Sequence, residues 1–343
     1  MWASIAIALA AVLLPALLLP ALAAGALAAE DAKPHATPAA GVLAAVNGDV
    51  KIDRPGTSAP IAGAIGVRLL QGDMVRVGGA SSATVYLAGG GIVRVPAGNR
   101  IEIPKVTAAP KTAPSGAALT PAMSSRSVEV LEAGLWVLND PQGSVLLTAM
   151  RGGGDDWTAD VSAGPLPLSP RFETVLEPRP RLLWAAAVPV RLVIGRGQEI
   201  VWRSPPTAAG PLTLPASVPE LRAGEVYRWW LEAPDGGAPL SEAVPFRIAD
   251  KKAQTDATRF EKELAGLAGS DDAPALASLM RCGYYVQVGA WTRVVSAASE
   301  LHHRDPGSAA AARALDGSRQ QMRLGEDAMA RLVTPEAGQP KSR

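Results

Sequence analysis

Histidine, the side chain best suited to moving protons near neutral pH, occurs only at His35, His302 and His303. His35 lies in a Pro/Ala-rich stretch and reads as solvated. His302 and His303 are neighbours in a helical segment, so their rings point to different faces. No H-E-x-x-H, C-x-x-C or clustered Cys/His spacing is present to hold a metal, and no G-x-S-x-G marks a nucleophile elbow. Cys282 is the only cysteine. In its apolar helical setting it reads as a small buried hydrophobe, with a reactive thiol or an intermolecular disulfide as the alternative. Gly89-Gly90-Gly91 and Gly152-Gly153-Gly154 are not followed by Lys-Ser/Thr, so neither is a phosphate loop. Asp155-Asp156 lacks the alternating oxygen ligands of a calcium loop. Carboxylates are numerous, but no spacing singles out a pair. Trp229-Trp230 on a strand places one indole inward and one outward; the outer ring can stack on a sugar or pack against a neighbouring domain, and packing is preferred. Trp291 reads as core. No catalytic residue, cofactor site or metal site is predicted.

Such residues would have to be held by small β-rich units. The chain has 343 residues, enough for two or three domains, and a net charge of +1. That balance gives no basic footprint for a nucleic-acid partner. With 3 Phe and 4 Tyr against 34 Gly and 30 Pro, the cores rely on aliphatic residues, and turns with short strands are favoured over long helices.

Residues 2–29 carry no charged side chain and end in Ala26-Leu27-Ala28-Ala29 before Glu30-Asp31. The segment predicts a signal peptide over 1–29, although no Lys or Arg precedes the apolar stretch. A retained anchor of residues 2–29 is the alternative, and only then is a membrane a partner. Residues 30–40 predict a flexible leader. From Gly41, short Val/Ile/Leu runs alternate with Gly and Pro. Asn47-Gly48 between two apolar runs predicts a hairpin, with further strands near 73–77, 83–88, 91–95 and 100–103. Residues 104–125 predict a flexible insertion, and strand texture returns at 127–138 and 143–148. A second β-rich unit is predicted over 163–249, with strands at 181–187, 189–194, 198–203, 212–216, 226–233 and 243–248. Helices are predicted at 251–267, 274–285, 291–302 and 307–323, followed by a disordered tail over 325–343.

Val46-x-Gly48-x-Val50, Leu70-x-Gly72-Asp73-x-Val75, Ser82-Ala83-Thr84-Val85, Gly91-x-Val93-x-Val95 and Asn99-x-Ile101-x-Ile103 occur in that order. This series resembles the FecR-like domain, and Leu131-Glu132-Ala133-Gly134-Leu135-Trp136-Val137 looks like the family's later strand segment. The resemblance covers 41–150. Gly48, Gly72 and Gly91 fall where tight turns need positive φ or close backbone approach, and Asp73 can bond its own turn backbone. The family includes a component that relays an iron–siderophore signal across the inner membrane. Here the apolar run opens the sequence, and the resemblance implies a periplasmic module.

Leu221-Arg222-Ala223-Gly224-Glu225-Val226-Tyr227 resembles the tyrosine-corner segment of immunoglobulin and fibronectin type III sandwiches, and Pro180-Arg181-Leu182-Leu183-Trp184 the strand bearing their core Trp. Leu276, Met280, Tyr285, Ala290 and Pro306 are similar to one degenerate tetratricopeptide-like hairpin over 252–324, which must pack on a neighbour to cover its apolar face.

The predicted fold class is thus multidomain and mainly β: a FecR-like β domain, an immunoglobulin-like β-sandwich and a short α-helical C-terminal region. The expected function is that of an exported periplasmic binding or scaffold protein, not an enzyme, with no cofactor. An envelope protein is the expected partner, a glycan or peptidoglycan the alternative ligand, and FecR-like transmembrane signalling the remaining one.

Overall fold

The computed structural model describes residues 39–88, 91–104, 118–120, 124–139, 159, 161–208, 210–266 and 273–333. The first unit contains β1 (Ala39–Asn47), β2 (Val50–Asp53), β3 (Ile61–Ala62), β4 (Arg68–Leu70), β5 (Met74–Val77), β6 (Ser82–Leu87), β7 (Gly91–Val95), β8 (Arg100–Glu102) and β9 (Ala118–Thr120). They form two antiparallel sheets, ordered β4-β1-β6-β7-β9 and β3-β2-β5-β8. Leu43, Val85, Leu87 and Val93 of the first sheet meet Ile52, Val75 and Ile101 of the second in a dry core.

Asn47-Gly48 does not close a hairpin. β1 pairs with β4 and β6, whereas β2 pairs with β3 and β5. Gly48, at φ 80°, turns the chain from one sheet into the other. The Ser81 side chain lies where a Cβ on Gly48 would be, and its Oγ accepts from Asp49 N at 2.8 Å. The apolar runs that suggested a hairpin reflect burial, not pairing. The insertion expected over 104–125 also supplies structure: β9 within it extends the first sheet along β7.

The largest departure from expectation is residues 127–138, read as a strand, which form helix α1 (Ser125–Asn139). Val128, Leu131, Leu135 and Leu138 are buried at helical spacing. Over the first few residues a two-residue period fits as well; only the 3.6-residue period runs through to Leu138. Thus Leu131–Val137 is helical, and its core belongs with the later helices. The expected strand over 143–148 lies outside the described residues.

In the second unit a strand lies within or overlaps each of the six predicted segments, and two short strands precede them. It contains β10 (Leu166–Ser169), β11 (Thr174–Val175), β12 (Arg181–Ala185), β13 (Arg191–Arg196), β14 (Glu199–Arg203), β15 (Leu212–Thr213), β16 (Val226–Glu232) and β17 (Val244–Ile248). One sheet runs β10-β12-β15, the other β11-β17-β16-β13-β14. Leu182 and Trp184 from the first face Leu192, Ile194, Tyr227, Trp229, Leu231 and Phe246 from the second.

The helices are α2 (Lys251–Ala265), α3 (Ala273–Val288), α4 (Trp291–Arg304), α5 (Ala309–Met322) and α6 (Glu326–Val333). Asp250 and Ser308 cap α2 and α5, accepting from Ala253 N and Ala311 N. Helix α6 falls inside the tail expected to be disordered; Ala328, Met329 and Leu332 are buried on one of its faces. α1 packs on α3, α3 on α4, and α4 on α5. At the α1–α3 crossing, a Cβ on Gly134 would collide with the Gly283 carbonyl. The helical core extends to Val42, Ala44, Tyr86 and Ile92 on the outer face of the first sheet and to Leu166, Leu168 and Leu176 of the second unit. A single apolar interior therefore joins both β units to the helices. Among the described residues, no helix is long and apolar enough to cross a membrane.

Candidate functional site

The strand-to-strand segment Ser169–Thr174 crosses the ends of two helices. Helix α4 begins after Ala290, which has no side chain to cap it. The Glu173 carboxylate takes that role from the β unit, accepting from Thr292 N at 2.8 Å and from Thr292 Oγ1 at 2.6 Å. Ser169 Oγ and Arg171 N also donate to it, at 3.2 and 3.3 Å. Two residues back, Arg171 is fully buried and its Nε donates to the Met322 carbonyl at 2.7 Å, at the C-terminal end of α5. An anion thus meets a helix N-terminus and a cation meets a helix C-terminus, as the two macrodipoles favour. The Arg171 and Arg323 guanidinium groups both lie over the Phe172 ring, at 5.2 and 4.8 Å. Thr174 N donates to the Gly289 carbonyl, 2.8 Å away in the α3–α4 turn.

Burial pushes the Glu173 carboxyl above the usual carboxylate range; the donors from Thr292, Arg171 and Ser169 pull it back without cancelling that effect. Burial lowers Arg171 to about 10, with Glu242 opposing the shift and Arg323 adding to it.

Beside this clasp lies a cleft between the second β unit and α4. One part of it, about 390 Å³, is bounded by Ser169, Glu173, Arg179, Arg181, Thr292 and Arg293. A second hollow shares Ser169, Arg181 and Thr292 and continues along Ser296 and Ser299 to Leu332 and Val333. A third shares Arg293, Ser296 and Glu300 and reaches Glu261, Arg281 and Tyr285. In this last hollow, burial tends to raise Glu261, but hydrogen bonds from Arg281 and Tyr285 outweigh it and hold the carboxyl below its usual range. Arg293 pairs with Glu177 and donates to Tyr285 Oη at 3.1 Å. Arg181 is exposed and its side chain has no hydrogen-bond or ion-pair partner among the described residues. Among the described residues the cleft therefore offers hydroxyls, one unpaired cation and an apolar end. It is equipped to hold an extended polar segment with an acidic group.

The residues picked out in the sequence do not line this cleft. Asp73 is fully buried; it accepts from Leu70 N at 2.8 Å, within its own turn, and from Arg54 Nε and Nη2 at 3.0 and 2.8 Å. Gly72 precedes it at φ 83°, and Gly91 opens β7 opposite Leu87. In the second unit, Tyr227 Oη accepts from Arg222 N at 2.8 Å, five residues upstream. Gly224 sits between them at φ 83°, Leu221 is core, and Trp184 is core with its indole N–H unpartnered among the described residues. Cys282 is buried, which pushes its thiol up and away from reactivity. His302 and His303 are exposed near the end of α4, whereas His35, Gly152-Gly153-Gly154 and Asp155-Asp156 lie outside the described residues. No group of three or more metal-ligating side chains occurs among the described residues.

Sequence reasoning missed Ser169, Glu173, Arg181 and Thr292. Only the position of two opposite charges in Ser169-Pro170-Arg171-Phe172-Glu173, between apolar runs, hinted that the segment meets something polar. Comparison with known proteins adds no assignment: no family model, no curated protein and no solved structure matches this chain.

Proposed function

We propose that this chain is an exported periplasmic scaffold protein that binds an envelope protein partner in the cleft beside α4, without catalysis. The observation that carries this reading is the clasp of Glu173 on α4 and Arg171 on α5. It fixes the second β unit against the helices, so the cleft walls are set before a partner arrives, and less ordering entropy is lost on binding. Glu173, a carboxyl that burial pushes up, is occupied in joining units, which favours an architectural use of buried charge over a reactive one.

Within this reading the first unit is a FecR-like module, supported by the ordered turns at Gly48 and Gly72-Asp73. The second is an immunoglobulin or fibronectin type III-like sandwich, supported by the Tyr227–Arg222 hydrogen bond. The α3–α4 pair is a tetratricopeptide-like hairpin whose apolar faces are covered by α1 and α5. Export rests on the uncharged run of residues 2–29.

The test places a photo-cross-linking residue at Ser299, on the cleft wall, in cells expressing the full chain. The mature N-terminus is sequenced from the same preparation. The expected outcome is cleavage near residue 29, recovery in the periplasmic fraction, and one cross-linked envelope protein that is lost in Arg181→Glu. A chain that stays in the cytosol, or cross-linking unaffected by Arg181→Glu, overturns the proposal. A retained segment 2–29 with a cytoplasmic partner favours the transmembrane signalling reading instead.

A further inference from the structure

The outer face of the sheet β11-β17-β16-β13-β14 carries a second set of side chains. Alternation along β16 sends Tyr227, Trp229 and Leu231 into the core and leaves Val226, Arg228, Trp230 and Glu232 on the other face. Register places Arg247 beside Val226, Gly195 beside Arg228, and Val193 with Arg203 in the row of Trp230.

Trp230 is immobilised there. Its Nε1 donates to Glu232 Oε1 at 3.0 Å, and Arg203 pairs with the same carboxylate at 3.0 Å. The six-membered part of the indole lies over Gly195, so closely that a Cβ there would meet its ring atoms at 3.2 and 3.3 Å. The missing side chain at Gly195 lets the ring lie flat, with Val193 fully buried in the same row of the sheet. Trp230 as a whole is half-buried.

Around this flat ring the charge is one-sided. Arg228 and Arg247 are exposed, and their side chains have no hydrogen-bond or ion-pair partner among the described residues. Arg191 donates to the Pro234 carbonyl and Arg203 is held by Glu232, the one acid in these rows. Exposed Ile200 and Val226 flank the stripe. From Val226 to Glu232 it runs roughly 20 Å, at about 3.4 Å per strand residue.

We propose that this face binds an acidic polysaccharide, stacking a sugar ring on Trp230 and pairing uronate carboxylates with Arg228 and Arg247. Three features select this ligand. A locked indole offers its π-face to sugar C–H groups without losing rotamer entropy. Unpaired guanidinium groups beyond the ring match carboxylates spaced along a chain and can engage each in bidentate fashion. The flat surface suits a repeating polymer better than a protein partner, whose anchor side chains need pockets to fill. A single stacking aromatic also falls short of the multiple platforms that single-stranded nucleic-acid binders use.

The test is isothermal titration of the full chain with an oligogalacturonate, a neutral glucan oligomer of equal length and a single-stranded oligonucleotide. The oligogalacturonate is expected to bind saturably and the neutral glucan not measurably. Arg228→Glu should weaken binding by roughly 10-fold or more, since each 1.4 kcal/mol is a factor of ten. Trp230→Leu keeps an apolar cover over Val193 but removes the stacking surface, and should weaken binding by a similar factor. Arg304→Glu, at the end of α4, should leave it unchanged. Failure to bind oligogalacturonate overturns the proposal, as does insensitivity to both substitutions on the face. Equal loss in Arg304→Glu, or equally tight binding of the oligonucleotide, overturns it too, by reducing the face to a general polyanion surface.

Discussion

The two five-stranded sheets of this protein are built for different surroundings. In β4-β1-β6-β7-β9, Leu43, Val85 and Leu87 fill the core of the first unit while Val42, Tyr86 and Ile92 enter the helical core. Both faces are dry along residues 40–45 of β1 and 83–87 of β6, and β1 reads as an almost unbroken apolar run. In β11-β17-β16-β13-β14, one face is core and the other reaches solvent at Val226, Arg228 and Arg247, while Trp230 is half-buried and Glu232 buried on that outer side of β16. The first sheet is a structural wall between two interiors. The second leaves Val226, Arg228 and Arg247 of its outer face in solvent. Where polar alternation disappears from a strand, a further layer must be sought to cover it.

Substitutions facing the helices should test that contrast most severely. Tyr86 is fully buried on the helical side of β6, and its hydroxyl donates to Glu132 of α1 at 3.3 Å. Tyr86→Ala should cost about 3–5 kcal/mol, the range for emptying a large aromatic site, measured as a lower urea midpoint at unchanged m-value. A cost under about 1 kcal/mol would mean the second face of this sheet is not sealed. Next is Gly134→Ala at the α1–α3 crossing, where the added methyl meets backbone. Overpacking of this kind costs about 1–3 kcal/mol, and the same measurement reads it. An unchanged midpoint would break the assignment of α1 to the helical body.

That assignment also shows what the sequence could and could not reveal. Strands β12 to β17 and helices α2 to α5 were legible because apolar runs bounded by turn and cap residues mark them, whereas the short β10 and β11 carry no such signal. Helix α1 was not, because Val128, Val130 and Glu129 alternate like a strand before Leu135 and Leu138 decide the period. The Asn47-Gly48 turn was legible as a turn but not as a sheet-to-sheet corner, since pairing partners at Leu70 and Leu87 are remote in sequence. Tyr227 was found because its partner Arg222 is five residues away. Glu173 was not, because Thr292 is 119 residues away; a buried carboxylate and a distant uncapped helix carry no shared local signal.

The clasp itself can be separated from the sheets by pH. A carboxyl raised in the folded state binds its proton more tightly there than in the unfolded chain. Its contribution is therefore fully present below the unfolded value, about 4.3, and is lost as pH rises through the folded value. Glu173→Gln keeps an acceptor for Thr292 N and removes the titration. Its stability should fall less than that of the parent chain between about pH 4 and neutrality, read from denaturation midpoints across that range. A parallel pair of profiles would show that Glu173 is solvated and does not hold α4.

The smallest effects belong to the wet sheet. Tyr227→Phe removes one hydrogen bond from its core side and should cost about 1 kcal/mol. Arg228→Ala, on its outer side, should change stability by no more than about 0.5 kcal/mol, because the guanidinium of Arg228 holds nothing within the described residues. The pair of numbers sharpens the contrast between the sheets: on this one, stability follows the inner rows and leaves the outer rows free to vary. An outer-face arginine whose removal destabilised the fold as much as Tyr227→Phe would show that this face is covered within the protein. A near-zero cost leaves Arg228 with no folding role, which places the physical reason for its position outside the chain.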